Sequence, residues 1–197
     1  MRGLAWVCII ALGAAAPAAA STFDRLLPAK SQIVFVSRQM GVPVEGGFKR
    51  FSGEIALDPA RPEAARATLE VDLASIDVGA REAYDEVVSR NWFDVRQYPS
   101  ARFVATSIRP LGGERYEVRG QLTLKGRTRE IVVPVSLRAQ GTEAVMEGSF
   151  TLKRLDYGIG TGPWGDTSIV ADEVQVRFRL TAGRSAPAPG GRSAARP

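Results

Sequence analysis

Between residues 31 and 181 the chain alternates apolar and polar positions with a period of two. The clearest run is 116–125, where Tyr116, Val118, Gly120, Leu122 and Leu124 alternate with Glu117, Arg119, Gln121, Thr123 and Lys125. A strand with this pattern turns one face to a core and the other to water. In 67–73, Leu69, Val71 and Leu73 stand against Thr68, Glu70 and Asp72; in 174–180, Val174, Val176, Phe178 and Leu180 stand against Gln175, Arg177 and Arg179. Further strands are predicted at 31–39, 47–57, 101–109, 127–138 and 143–154, eight in all. Asp58-Pro59, Gly112-Gly113, Lys125-Gly126 and Gln140-Gly141 are turn signals between them. Connections this short predict antiparallel neighbours in a meander.

One segment has helical spacing instead. Ala80, Ala83, Tyr84, Val87 and Val88 form an apolar stripe, with Arg81, Glu82, Asp85, Glu86 and Arg90 on the opposite face. Gly79 is the predicted N-cap and Glu82 the N3 residue of a capping box. Pro99 restricts the chain before the next strand. Eight alternating antiparallel strands make either a two-sheet sandwich or a closed barrel, and a barrel of this size holds one small ligand. The alternation alone does not choose between them. Charges at the outward positions Glu117, Arg119, Arg177 and Arg179 exclude a lipid-facing membrane barrel.

The N-terminus changes the chemistry available. Arg2 supplies a positive start, Leu4 to Ala16 an apolar run, and Ala18-Ala19-Ala20 the small residues of a cleavage site. The run is shorter than the roughly 20 residues a membrane span takes. Residues 1–20 therefore read as a signal peptide, which directs the chain to the periplasm and carries away Cys8. Trp6-Val7 precedes Cys8 where a lipoprotein signal has small residues. The exported chain has no thiol, and the sequence has no histidine. Thiolate nucleophiles, disulfides and Cys/His metal centres are thereby excluded, and the commonest acid–base residue is missing. From residue 183 onward the chain is Gly, Ala, Pro and Ser with Arg184, Arg192 and Arg196, and it is predicted to be a disordered basic tail. Without Arg2 and these three arginines, 22 of the 26 basic residues face 21 acidic ones, so no nucleic-acid surface is implied. The folded domain is then 21–182, and about 160 residues suffice for a core of its own.

Four segments carry a more specific signal: SQIVFVSRQMGVPVEGGFKRFSGEIALD (31–58), NWFDVRQYPSARF (91–103), YEVRGQLTLKGRTREIVVPV (116–135) and LKRLDYGIG (152–160). In order and spacing the chain resembles the YceI-like family of bacterial periplasmic proteins. The resemblance implies an all-β fold with one helix: an eight-stranded antiparallel, lipocalin-like barrel whose apolar pore holds a polyisoprenoid chain such as an isoprenoid quinone. It also implies a link with membrane cytochromes of the b561 type. Where members often place a histidine, near the end of the first strand, this chain has Arg38-Gln39.

For such a pore the inward residues Phe35, Leu69, Val71, Phe103, Leu122, Leu124, Val133, Phe150, Val176 and Phe178 are the predicted lining. Taken singly, each of them fits a closed core better, because most strand apolars pack against one another; the resemblance favours a pore lining for the set. Tyr84, Val88, Trp92, Phe93 and Trp164 are candidates to gate one end. Arg81, and Arg154 with Asp156, are candidates to bind a head group, since an arginine donates to a quinone carbonyl or a phosphate. The Gly158–Gly165 run has the glycines of a phosphate loop but no Lys-Ser pair and no following helix, and reads as a flexible hairpin loop. Asp77, Glu82, Asp85 and Glu86 read as a solvated charged face. The leading expectation is a non-catalytic carrier without cofactor, monomeric or dimeric, in transient contact with a membrane. Two rivals stay open: an enzyme acting on a lipid head group through carboxylates and Tyr84 or Tyr157, and a ligand-free structural or stress-response barrel.

Overall fold

In the computed structural model, which describes residues 22–58 and 61–185, alternation has produced one continuous antiparallel sheet. Its strands are β1 (Phe23–Leu26), β2 (Gln32–Gln39), β3 (Val42–Phe48), β4 (Phe51–Leu57), β5 (Arg66–Asp72), β6 (Ile76–Asp77), β7 (Ser100–Gly112), β8 (Arg115–Leu124), β9 (Arg127–Gln140), β10 (Glu143–Lys153) and β11 (Glu173–Gly183). The helix α1 (Arg81–Val87) follows β6.

The order is β1-β4-β5-β7-β8-β9-β10-β11-β2-β3-β6, and a further β1–β11 pairing closes the ring. A strand has only two edges, so β1 and β2 share one edge of β11, at Ala182–Gly183 and at Gln175–Arg179 respectively. They are two halves of one stave broken at the 3-10 turn Pro28–Lys30. β3/β4 and β5/β6 are broken staves in the same way, and β7 to β11 complete a closed eight-stave barrel. The closed alternative thus prevails over the sandwich.

Three details differ from the sequence reading. β1 and β6 are too short to show a period, and the strand expected at 47–57 starts at Val42 and breaks at Lys49-Arg50. Ala80, extended at φ −132°, is the N-cap of α1, with no side-chain cap, while Gly79 turns the chain at φ +82°. Neither residue has a side chain that accepts a hydrogen bond, and Glu82 stands one position too early to close a capping box. Finally, β11 runs through Gly183, Arg184 stacks 4.6 Å from the centre of the Phe23 ring, and the Ser185 amide donates to Asp24 at 2.7 Å. The ordered domain therefore passes the boundary predicted at 182. The predicted signal peptide and the tail beyond Ser185 lie outside the described residues.

Two buried clusters sit at opposite ends of the barrel. At the β1 end Phe23, Leu26, Ile55, Leu57, Leu137, Ala144 and Ala182 pack together. At the α1 end Leu73, Ala101, Leu124, Tyr157 and Ile159 pack with Trp92 and Phe93 alongside. Phe23 is fully buried where β1 joins β4, so Phe23→Ala is expected to cost about 3–5 kcal/mol, read from the urea unfolding midpoint.

Candidate functional site

Between the two clusters the barrel encloses an apolar cavity of about 700 Å³. Glycines on the inner wall make part of this room. Gly46 faces Phe35, Gly148 faces Phe178, and Gly120 lies beside Phe103. A Cβ at these positions would come within 2.4, 2.6 and 2.3 Å of a ring carbon. Each phenyl ring thus occupies the place of a missing side chain on the neighbouring strand, where a larger residue would drive it into the lumen.

All ten residues predicted as lining border the cavity. So do Val118, Ile131, Val135, Val174 and Leu180, which share the parity of the predicted ones. Ile108 was not legible from alternation. A bulge between Ala105 and Ser107 shifts the parity of β7 and turns Ile108 inward, opposite Val118.

The mouth lies at the α1 end. β3 pairs with β6 only through Gly47 and Phe48, which leaves the rest of that edge facing away from any strand among the described residues. Gln39, Val44 and Glu82 both border the cavity and reach solvent, and they mark the opening between β3 and α1. Of the predicted gate residues, Trp92, Phe93 and Trp164 border the cavity. Trp92 and Trp164 stand 5.7 Å apart, and Trp164 Nε1–H donates to Glu86 Oε1 at 2.7 Å, tying the 158–170 loop to α1. Tyr84 and Val88 face a separate recess with Ser89, Asp94 and Arg96, and Tyr84 anchors the helix by donating to the Ala74 carbonyl at 3.3 Å. They are docking residues of α1 and do not gate the pore.

The polar candidates are corrected more sharply. Arg154 is buried, and each of its five N–H groups meets a backbone carbonyl. Nε donates to Ala171 (3.1 Å), Nη1 to Ile159 (3.0 Å) and Gly160 (2.6 Å), and Nη2 to Trp164 (2.8 Å) and Val170 (2.7 Å). No donor remains for a head group. Burial lowers its pKa, against the opposing charge of Asp172. Gly160, at φ +70°, lets the loop approach: a Cβ there would fall 2.3 Å from Nη1. The glycine-rich run that superficially matched a phosphate loop therefore cradles a guanidinium.

Asp156 lies outside the cavity, where its backbone carbonyl accepts from Arg127 and Arg129. Arg81 is exposed and paired with Asp85 at 3.0 Å. Neither Tyr84 nor Tyr157 borders the cavity, so an acid–base role there has no phenol to use. Besides the indole N–H groups of Trp92 and Trp164, the polar side chains that border it are Ser37, Gln39, Thr68, Glu82, Glu86 and the fully engaged Arg154. Glu82 and Glu86, read from sequence as part of a solvated face, are instead the acidic rim of the mouth. Among the described residues no three acidic, histidine or cysteine side chains converge as a metal site.

The YceI-like domain model matches residues 25–182, the barrel with its mouth except for the outermost residues of β1 and β11. The chain belongs to the YceI-like family. The chain is similar to a UPF0312 protein of Pseudomonas savastanoi pv. phaseolicola, 34% identical over 131 residues, which are 63% of this chain and 68% of that protein. Another, from Vibrio cholerae, is 29% identical over 184 residues, or 85% and 97% of the two chains. Burkholderia cenocepacia BcnA is similar in structure, with a TM-score of 0.78 and 44% identity over 80% of this chain and 99% of its own. A polyisoprenoid binding domain from Saccharophagus degradans, implicated in plant cell wall breakdown, has the same fold at a TM-score of 0.67 and 18% identity, covering 83% and 99%.

Removing the guanidinium strands five carbonyls, three of them in fully buried hydrogen bonds. Arg154→Met is expected to lose about 3–5 kcal/mol by urea unfolding, and Arg154→Lys, with three donors in place of five, recovers only part of it. Tyr157 makes a second measurement possible. Burial raises its pKa above the ordinary 10.0, so the folded state holds the phenol proton more tightly than the unfolded chain. That contribution is complete below pH 10.0 and is lost as pH rises through the raised folded value. As pH rises past 10.0 the wild-type protein should lose more stability than Tyr157→Phe, read as the difference between two unfolding series.

Proposed function

We propose that the protein is a periplasmic carrier of an isoprenoid lipid with an uncharged head group, an isoprenoid quinone above all. The observation that carries this reading is the apolar cavity of about 700 Å³, opening at one end beside α1. Its volume lies within the roughly 300–1,000 Å³ of pockets that take one small ligand. Burial of each CH₂ of a prenyl chain contributes about 0.8 kcal/mol, so the chain leaves water for such a lumen readily. Exchange with a bilayer, an equally apolar medium, is then close to thermoneutral. The Saccharophagus degradans domain of the same fold, named for polyisoprenoid binding, supports the same ligand class.

The rim narrows the head group. Glu82 and Glu86 repel a phosphate at the mouth, and Arg154 has no free donor with which to hold one. Ser37 and Gln39 supply neutral donors to a carbonyl. Residues 1–20 account for export, and a quinone cargo accounts for exchange with a membrane cytochrome of the b561 type. Organic extraction and native mass spectrometry of protein purified from periplasm test the reading. A prenylquinone in one-to-one complex is expected. A polyprenyl phosphate in its place would overturn the head-group assignment, and protein that is empty and takes up no added quinone would overturn the carrier.

A further inference from the structure

The tip of the β2–β3 hairpin carries the most exposed large apolar side chains of the described residues. Met40 is 72% exposed and Val42 63%, and Ile169 at 41% belongs to the same patch. Backbone bonds hold the two segments together. The Met40 amide donates to the Ile169 carbonyl at 2.7 Å, the Ala171 amide donates to the Arg38 carbonyl at 2.9 Å, and Gln39 bridges Val170. The patch is therefore a fixed surface built from two distant parts of the chain. Water solvates it poorly, and nothing in the barrel's own packing needs it.

We infer that this tip is the surface by which the barrel docks on a lipid bilayer, with its mouth against the membrane. The inference rests on the carrier reading, because the occupant is chosen by what the patch adjoins. Gln39 and Val170 border the cavity next to Met40 and Ile169, and Val44 borders it two residues beyond Val42. Val44 and Val170 thus continue the apolar surface of the tip into the lumen on the side of the mouth away from Glu82 and Glu86, a short path for a prenyl chain leaving the bilayer.

Two further features suit a lipid interface. From Gln39 to Val44 and from Thr167 to Val170 there is no charged residue, and Asp166, next in the chain, accepts from the Ser168 amide and hydroxyl. The backbone at the tip is also largely satisfied internally. Gln39 and Val42 pair across the turn, Met40 uses its N–H on Ile169, and the Gly41 carbonyl accepts from Arg38. Unpaired backbone groups are what keep most loops out of an apolar medium. Arg38, exposed just behind the tip, stands at the level where lipid phosphates would lie, and its long stem suits that depth. Attraction by a basic face plays no part, since the patch itself is uncharged.

The test uses the exported protein purified from periplasm, without residues 1–20, and pure phosphatidylcholine vesicles, whose neutral surface excludes simple attraction of Arg184, Arg192 and Arg196. Wild-type protein should float with the vesicles, with little change in 0.5 M salt (roughly 3 Å screening length at 1 M). The double variant M40E/V42E should float at least roughly tenfold less and extract prenyl lipid from vesicles correspondingly slower. Both substituted residues lie outside the cavity lining, so farnesol binding in solution, read by quenching of Trp92 and Trp164, should not change. I169E supplies an independent variant on the other segment. Wild-type flotation that is absent, that requires anionic lipid, or that survives both sets of variants would overturn the docking surface. So would concentration-dependent dimerisation of the wild type that M40E/V42E abolishes, since a second copy would then cover the patch. Protein that floats as expected yet binds no farnesol would instead refute the carrier reading and leave the docking surface standing.

Discussion

Every edge of a β-sheet must find a partner, and in this protein four residues of β1 meet that demand. Phe23 pairs with Leu57 of β4 and Leu26 with Ala182 of β11, so one short strand joins the two ends of the sheet. Once the ring is closed, period-two alternation has only one consequence: every second residue points into a common lumen. The lumen's character follows from which residues those are. Phenyl rings that sit over glycines leave space that larger neighbours would have filled.

A closed barrel then has two ends to seal, and this one seals them by different physics. The β1 end is plugged by packed hydrocarbon, with Phe23, Ala144 and Ala182 wholly buried. At the α1 end a non-repetitive loop covers the lumen, and loops carry carbonyls that a dry interior does not satisfy. Arg154 resolves that conflict by distributing five N–H groups over five carbonyls of residues 159–171. The cost is a buried cation, and the return is a loop rigid enough to hold Trp164 against Glu86. The roof is incomplete only between β3 and α1, where the sheet splits, and there the rim turns polar and acidic.

This division of labour separates capacity from selection. The wall is apolar on all sides and makes no distinction among hydrophobic chains of suitable size. Acidic groups border the lumen only at the split, where Glu82 and Glu86 give the rim a negative sign. The same split exposes the hairpin tip, so the opening and the most apolar part of the outer surface lie side by side. A single topological feature, the parting of β3 from β6 beyond Gly47, accounts for both.

Alternation along the chain was sufficient to determine the long strands and most of the inward set, because both rest on local parity; it left sandwich and barrel open, and the pairing of β1 with β11 decides for the barrel. Val118, Ile131 and Val135 were legible in that same parity. Ile108 was hidden by a bulge, and β1 by its length, since four residues do not establish a period. The polar site was the least legible. Arg154 in sequence is an arginine beside an aspartate at a strand end, as suited to a phosphate as to a loop. Only the tertiary structure brings carbonyls from Ile159, Gly160, Trp164, Val170 and Ala171 around it, and only folding turns Glu82 and Glu86 from a solvated helix face into the rim of a pore. Parity is a property of neighbouring residues, whereas the partners of a guanidinium are set by how distant segments meet.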